Sequence, residues 1–255
     1  MQTYTQYSSL KNKCVFITGA ATGIGAEMVK AFVLQGANVG FVDIDESSAE
    51  LLRSEIEAAG LDKPWFKSVD VSKAEDLKQA IQEFATNHKG LDVLVNNVAN
   101  DMRHAPEDVS ETEWLKCMQI NLNAAFYASQ AAFSFMKTSE VGAIINFSSL
   151  NAIIGPENMV GYTTAKAGLI GMTKSLAKDY GHHNVRVNAI LPGWIATEKQ
   201  LNSWLTEEEE EKWMSQMAIK KRIYPKDVAK LVLFLSSDDS AMITGQSLAI
   251  DGGRS

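Results

Sequence analysis

The sequence contains little cysteine and histidine, and it has no long apolar run. Its two cysteines, Cys14 and Cys117, are too few and too far apart for a disulfide framework or a metal site, which fits a reducing compartment. The four histidines show no metal-ligand spacing, so we expect no metal. No window approaches about 18 uninterrupted apolar residues, and residues 1–10 lack the cationic and apolar regions of a secretory signal. These absences predict a cytoplasmic protein.

Basic residues are outnumbered by acidic ones. The chain has 24 Lys and Arg against 31 Asp and Glu, and its net charge of −7 argues against a nucleic-acid partner or an anionic membrane. Hydrophobic residues make up 45% of the chain, which is enough for a sizeable core. There is no Pro/Ser-rich linker and no internal repeat. We therefore expect residues 1–255 to form a single domain, with residues 1–10 as a polar N-terminal extension.

Short apolar runs alternate with longer amphipathic segments along the chain. This alternation predicts an α/β fold, a Rossmann-like, doubly wound parallel sheet of about seven strands with helices on both faces. The expected strands are Cys14–Thr18, Asn38–Asp43, Trp65–Val69, Leu91–Asn96, Ala143–Ser148, Val185–Ile190 and Ser247–Ile250. The expected helices include Glu111–Lys137, Tyr162–Tyr180 and one that follows the cap residue Thr206, with Glu209 completing a capping box.

A glycine-rich turn ends the first expected strand and leads into a helix. Such a turn lets backbone N–H groups approach a pyrophosphate at the positive end of the helix. The next strand ends in Asp43, which is placed to bind an adenosine ribose and repel a 2′-phosphate, unless it merely closes a turn. Neither Thr22 nor Ile44 offers that phosphate a positive charge, so the sequence favours NAD over NADP. The expected cofactor residues here are Gly19, Thr22, Gly23, Ile24, Gly25, Asp43 and Ile44.

Tyr162 and Lys166 stand four residues apart, and on a helix they lie on one face. A cation about 5.5 Å from a phenol, at an effective dielectric of about 20, lowers a pKa of about 10 to about 8. A second positive charge, such as an oxidised nicotinamide ring, would make Tyr162 a base at neutral pH. Taken alone, the pair could also be a surface Tyr and Lys on an amphipathic helix.

The wider set of motifs resembles the short-chain dehydrogenase/reductase family over roughly residues 10–253. The resemblance is carried by the turn of residues 18–25, Asn96-Asn97-Val98-Ala99, Asn121, Ser149, Tyr162-x-x-x-Lys166, Pro192-Gly193 and Asp251-Gly252-Gly253. It implies that Tyr162 is the general acid/base and that Lys166 lowers its pKa and holds the nicotinamide ribose. It also implies that Ser149 positions the reacting oxygen and that Asn121 anchors a water relay.

The same resemblance implies the rest of the cofactor site and a homotetramer. It places Asp70 and Val71 beside the adenine. The other implied contacts lie after the fourth strand and near the nicotinamide, and they are Asn97, Val98, Ala99, Pro192, Gly193, Ile195 and Thr197. The family more often has Ala and Gly where Val98 and Ala99 stand. The expected helices 111–137 and 161–180 carry more apolar residues than one buried stripe requires, which also favours subunit contact.

A polar cluster follows the fourth expected strand. Together with Tyr162–Lys166 and the segment from Pro192 to Leu205, which includes Trp204, the cluster Asn100–His104 is similar to bacterial NAD(P)-dependent aldose 1-dehydrogenases. This similarity implies oxidation of the anomeric hydroxyl of a sugar to a lactone. A sugar pocket needs fixed donors and acceptors and an aromatic platform. The expected substrate residues are Asn100, Arg103, His104, Ser149, Asn151, Glu157, Tyr162 and Trp194.

Three alternatives stay open. The Asn100–His104 cluster could be a solvated loop whose polar side chains cap the following turn. The substrate could be another alcohol or ketone, such as a steroid, a small alcohol or an acyl thioester, although the segment after Pro192 mixes tryptophans with charge. The chain could also be a non-catalytic NAD-binding protein, and the complete set of four catalytic residues speaks against this alternative.

Overall fold

A seven-stranded sheet occupies the centre of the protein. The computed structural model describes residues 4–139, 142–203 and 206–255. The strands are β1 Cys14–Thr18, β2 Asn38–Asp43, β3 Trp65–Ser68, β4 Val93–Asn96, β5 Gly142–Phe147, β6 Val185–Pro192 and β7 Ser247–Ile250. All neighbours pair in parallel, in the order β3-β2-β1-β4-β5-β6-β7. The predicted Rossmann-like, doubly wound sheet is confirmed.

Helices connect the strands. They are α1 Gly23–Leu34, α2 Glu46–Ala58, α3 Ala74–Asn87, α4 Glu111–Met118, α5 Ala124–Met136, α6 Asn151–Ile154, α7 Val160–Gly181, α8 Glu198–Ser203, α9 Glu207–Ser215 and α10 Pro225–Ser236. The predicted capping box of Thr206 and Glu209 is present at the start of α9. Trp204 and Leu205, which belong to the resemblance to aldose dehydrogenases, lie outside the described residues. No helix in the described part of the chain combines the length and apolar character needed to cross a membrane.

One predicted helix differs from the structure. The sequence predicts a single helix over residues 111–137, but a π-helical turn, Gln119–Asn123, separates α4 from α5. The turn contains helix-compatible residues at helical spacing, so the apolar pattern does not reveal it. A π-turn changes the direction of the side chains that it contains, and such turns are frequent at functional sites. Asn121 lies in this one.

Side chains of the central strands point alternately to the two faces of the sheet. In β1, Val15 and Ile17 belong to one hydrophobic cluster and Phe16 to the other. Residues of α1 and α10 cover the first face, and residues of α3 and α5 cover the second. Strands buried on both faces explain the nearly continuous apolar runs in the sequence.

A crevice forms where the strand order reverses, beyond the carboxyl ends of β1 and β4. Next to it, the buried Asn96 at the end of β4 donates to Asn146 Oδ1 of β5 at 2.9 Å. Asn146 in turn donates to Thr173 Oγ1 of α7 at 2.9 Å. These two hydrogen bonds between buried side chains connect β4, β5 and α7. Residues that follow β4 and β5 therefore meet residues of α7 at one edge of the sheet.

The first ten residues are polar in sequence, yet two of them reach the core. Tyr4 and Leu10 are 5% and 1% exposed. The Tyr4 hydroxyl donates a hydrogen bond to Glu27 of α1. The described part of this segment, from Tyr4 onward, therefore packs against the body of the protein.

Candidate active site

The turn between β1 and α1 has the shape that a phosphate-binding turn needs. Gly19 and Gly23 have φ angles of +67° and +59°, a region that favours glycine. A Cβ on Gly25 would lie 2.3 Å from the Gly19 carbonyl oxygen, so a side chain there would push α1 away from the turn. Asn97, after β4, donates from its side chain to the same oxygen at 2.6 Å. The turn and the first turn of α1 form a close cradle.

Val98 covers this cradle from the side of β4. A Cβ on Gly19 would lie 2.7 Å from Val98 Cγ2, so the missing side chain at Gly19 makes room for the valine. Within the described structure, the Thr22 side chain makes no cap hydrogen bond at the start of α1. The positive end of this helix therefore faces the crevice, and the cradle fits a dinucleotide phosphate.

Asp43 and Asp70, the acids predicted to lie near the ribose and the adenine, are found at the end of β2 and just after β3. The Asp43 carboxylate accepts hydrogen bonds from three backbone N–H groups, at 2.9, 2.8 and 3.1 Å, those of Ala21, Ile44 and Asp45. It thereby joins the end of β2 to the glycine-rich turn, and Ile44 is 73% exposed. After β3, hydrogen bonds from Ser72 lower the pKa of Asp70, and Val71 is buried.

Ser149, Tyr162 and Lys166 are buried together beyond the carboxyl end of β5, with exposed fractions of 8%, 8% and 1%. The Ser149 hydroxyl hydrogen-bonds the Tyr162 phenol. Lys166 Nζ lies 5.6 Å from the centre of the Tyr162 ring and donates to the Phe147 carbonyl oxygen at 2.7 Å. α7 therefore presents the phenol and the amine on the same side, next to the end of β5.

Burial changes the acid–base character of this pair. It raises the pKa of Tyr162 to about 12, an effect that the hydrogen bond with Ser149 opposes and the Asp101 carboxylate reinforces. Burial also lowers the pKa of Lys166 to about 7. The expectation that the lysine alone brings the phenol to about 8 by Coulomb attraction is therefore wrong for the free protein. That expectation left out the desolvation of both groups.

Asn121 is tied to the loop that follows β4. It is 2% exposed, and its Oδ1 accepts a hydrogen bond from the Asn100 backbone N–H at 2.8 Å. Its Nδ2 donates to the carbonyl oxygens of Asn100 at 3.0 Å and Cys117 at 3.1 Å. Both ends of the amide thus hold the loop against α4. The water relay implied by the resemblance stays a prediction.

A cleft of 520 Å³ lies over Tyr162 and between the loops that follow β4, β5 and β6. The predicted site residues that line it are Ile24, Asn97, Ala99, Arg103, Ser149, Asn151, Glu157, Tyr162, Lys166, Pro192, Gly193, Trp194, Ile195 and Thr197. The cleft therefore joins part of the predicted cofactor site to Ser149, Tyr162 and Lys166, three of the four predicted catalytic residues.

The polar cluster after β4 is divided between two cavities. Asp101 and Arg103 line the cleft, whereas Asn100 and His104 line a second cavity of 230 Å³ beside α4 and α7. Side chains alternate in this way along an extended chain. His104 Nδ1 lies 4.0 Å from Glu113 Oε1 of α4. Tyr162 lines both cavities, so a contact of Asn100 and His104 with the substrate stays a prediction.

One wall of the cleft is formed by residues that the sequence analysis does not predict as site residues. Its residues follow helical spacing along α9 and its cap, and they are Glu209, Lys212, Trp213 and Gln216. The Trp213 ring meets the Trp194 ring edge to face, with centres 5.3 Å apart, and Arg254 completes the wall. The spacing could have indicated a shared helix face. The sequence gives no sign that this face turns toward the sheet.

Comparisons with known proteins agree with this fold. Residues 19–255 match the family model described as enoyl-(acyl carrier protein) reductase. The chain is 41% identical over 249 residues, 98% of its length and 97% of the relative's, to a probable galactose dehydrogenase of Rhizobium meliloti. It is 40% identical over 247 residues, 97% of each chain, to a D-xylose 1-dehydrogenase of Caulobacter vibrioides. A solved Serratia marcescens short-chain dehydrogenase/reductase variant has a TM-score of 0.89, with 31% identity over 96% of this chain and 99% of that one.

The doubly wound sheet and its glycine-rich turn are typical of dinucleotide-binding proteins. The extent of these matches then identifies the chain more closely: it belongs to the short-chain dehydrogenase/reductase family. Members of this family use NAD or NADP. The protein is therefore an oxidoreductase that acts on CH–OH groups.

Proposed function

We propose that this protein oxidises the anomeric hydroxyl of an aldose to an aldonolactone, with NAD as cofactor. The observation that carries the proposal is the meeting of Tyr162 with a polar and aromatic wall in one cleft. Arg103, Asn151 and Glu157 offer donors and acceptors there. Trp194 offers an apolar face, as a polyol pocket requires. The 41% and 40% identities to proteins named for galactose and D-xylose support the same substrate class.

In this reaction Tyr162, in its phenolate form, takes the proton of the anomeric hydroxyl while the carbon gives up a hydride. NAD, when bound, supplies the acceptor for that hydride. The Ser149 hydroxyl, which hydrogen-bonds the phenol, holds the sugar oxygen within reach. Lys166 is anchored on the Phe147 carbonyl and places its amine beside the ring. Because burial raises the pKa of Tyr162 to about 12, the phenol needs further positive charge nearby before it acts as a base at neutral pH.

A panel of aldoses tests the substrate class. Each sugar is mixed with the protein and NAD, and both the reduced-cofactor absorbance and the pH of a weakly buffered sample are followed. Oxidation at the anomeric carbon leaves the ring oxygen in place, so the product is a lactone that opens slowly to an acid. Hydride transfer releases one proton with each reduced cofactor, and the lactone releases a second proton when it opens to the acid. We expect acidification in two phases, the first in step with cofactor reduction and the second delayed. Turnover of other alcohols with no turnover of any aldose would contradict the sugar proposal.

Reduction of a 3-oxoacyl thioester at its 3-oxo group is a second candidate. A relative named as a 3-oxoacyl-[acyl-carrier-protein] reductase of Chlamydia trachomatis, 36% identical over 246 residues, favours it. The composition of the cleft favours the sugar, because Asp101, Glu157 and Glu209 place carboxylates where an acyl chain needs apolar surface. An assay of oxidation of the reduced cofactor in the presence of a 3-oxoacyl thioester separates the two candidates.

The proposal names NAD rather than NADP because of Asp43. Its carboxylate is oriented at the end of β2 by the backbone of the glycine-rich turn. A carboxylate in this place accepts hydrogen bonds from the ribose hydroxyls and repels a 2′-phosphate. Thr22 and Ile44 carry no charge that would offset the repulsion.

Asp43→Asn is expected to lower the preference for NAD over NADP, measured as a ratio of kcat/KM values, by about tenfold or more. The amide keeps the size of the side chain and an acceptor oxygen, but it loses the charge. Glu46→Gln, which removes an exposed acid from the first turn of α2, is the matched control and leaves the ratio unchanged. An unchanged ratio in Asp43→Asn would show that the charge of Asp43 does not determine the preference between NAD and NADP.

The proposal also includes homotetrameric assembly. Large apolar side chains are exposed on α4, α5 and the start of α7, namely Leu115, Phe126 and Val160, at 57%, 40% and 41%. Apolar surface on neighbouring helices is typical of a subunit contact. This surface supports the assembly that the resemblance implies, and the cytoplasmic location stays a prediction from the sequence.

A further inference from the structure

Arg254, in the segment that follows β7, contacts the face of α9 that lines the cleft. Its guanidinium carbon lies 3.6 Å from the centre of the Trp213 ring, which is the geometry of a cation–π contact. Its Nε donates to Gln216 Oε1 at 2.8 Å. Arg254, Trp213 and Gln216 all line the cleft. The stacking and the hydrogen bond fix the plane of the guanidinium relative to this wall.

One nitrogen of this guanidinium is left without a hydrogen bond among the described residues, although the Asp251 carboxylate acts on the charge of the group. Arg254 Nη1 is buried, and it makes no hydrogen bond to any residue that the structure describes. A guanidinium stays charged at neutral pH and carries two N–H donors on this nitrogen. Leaving a buried charged donor unsatisfied is unfavourable, whereas a ligand oxygen at this place would satisfy it.

The charges around the cleft favour a neutral acceptor over an anion. Three acids, Asp101, Glu157 and Glu209, line it, and outside the Tyr162–Lys166 pair they are matched by three bases, Arg103, Lys212 and Arg254. A wall with balanced charge gives an anionic substrate no net attraction. A hydroxyl oxygen accepts a hydrogen bond without bringing a charge of its own.

We propose that Arg254 Nη1 donates a hydrogen bond to a hydroxyl of the sugar, and that the guanidinium and the Trp213 ring together select aldoses at this wall. This inference rests on the proposed aldose oxidation. Tyr162, on α7, acts on the anomeric hydroxyl, so Arg254 hydrogen-bonds a hydroxyl on another carbon of the sugar. Arg254 is thus a specificity-determining residue that takes no part in the proton transfer.

Arg254→Met and Arg254→Lys test this inference on an aldose that the parent protein oxidises and on its monodeoxy analogues. In the parent, the analogue that lacks the bonded hydroxyl should lose about tenfold to a hundredfold in kcat/KM, the loss typical of a charged hydrogen bond. Arg254→Met should lose a similar factor on the full sugar, mainly through KM, and should no longer discriminate against that analogue. Arg254→Lys should recover part of the discrimination, and the KM for NAD should stay unchanged.

Arg222→Met is the matched control, because Arg222 pairs with Glu210 of α9 and lies outside the lining of the cleft. It removes an arginine that anchors the same helix, and it should keep the discrimination among analogues. Equal losses for Arg254→Met on the sugar and on every analogue would show that Arg254 only holds α9, and would overturn the inference. So would a rise in the KM for NAD alone. A parent protein that oxidises no aldose would overturn the proposed function as well, which makes the two failures distinguishable.

Discussion

Tyr162→Phe is expected to lower kcat by about 100- to 10,000-fold, the range that a positioned acid/base contributes. The phenol hydrogen-bonds Ser149 and lies beside Lys166 in the cleft. Phenylalanine keeps the ring, which is 8% exposed, and therefore keeps the packing of α7. It removes the oxygen that takes the substrate proton. The affinity for NAD, measured by fluorescence titration, is expected to change little.

Tyr180→Phe is the matched control for this variant. Tyr180 lies on the same helix and stacks on Phe133 with ring centres 3.8 Å apart, so each variant removes one hydroxyl from α7. Both proteins should keep the Tm of the parent, and only Tyr162→Phe should lose turnover. A loss below about tenfold in Tyr162→Phe would show that another group takes the proton.

The strands and the glycine-rich turn could be predicted because their requirements are local. A strand buried on both faces, such as β1, must be apolar at nearly every position. A turn with positive φ at Gly19 and Gly23 is built most easily from glycine. The neighbouring positions of Tyr162 and Lys166 follow from the period of one helix. Each of these features depends on a short stretch of sequence.

Features that depend on several segments could not be predicted in the same way. The direction in which the pKa of Tyr162 moves depends on how completely other elements bury it. Arg103 and His104 line different cavities because of the path of the loop between β4 and α4. The contact between Arg254 and Trp213 joins two segments that no shared period or motif connects. Burial and long-range contact decide these features, and neither can be read from local spacing.

The burial of Lys166 predicts an unusual dependence of stability on pH. The folded protein holds the pKa of this amine at about 7, against about 10.4 in an unfolded chain. Below pH 7 both states carry the charge, and the folded state bears the full cost of burying it. Between about pH 7 and 10 the unfolded state binds more protons, so this group makes stability rise with pH. The opposite contribution of Tyr162, whose pKa is raised, begins only above about pH 10.

Lys166→Met is therefore expected to abolish turnover and to raise Tm, relative to the parent, more at acidic than at alkaline pH. Each pKa unit is worth about 1.4 kcal/mol, so the Tm difference between variant and parent should be roughly 4 °C or more larger at about pH 6 than at about pH 9. The variant loses the hydrogen bond to the Phe147 carbonyl at both pH values. This loss changes the Tm difference by a similar amount at each pH, so it does not alter how the difference varies with pH. Lys174→Met, at an exposed position of α7, should show no such dependence. A Tm difference for Lys166→Met that is constant across this range would contradict the lowered pKa. It would mean that the folded protein keeps Lys166 as an ammonium beside Tyr162.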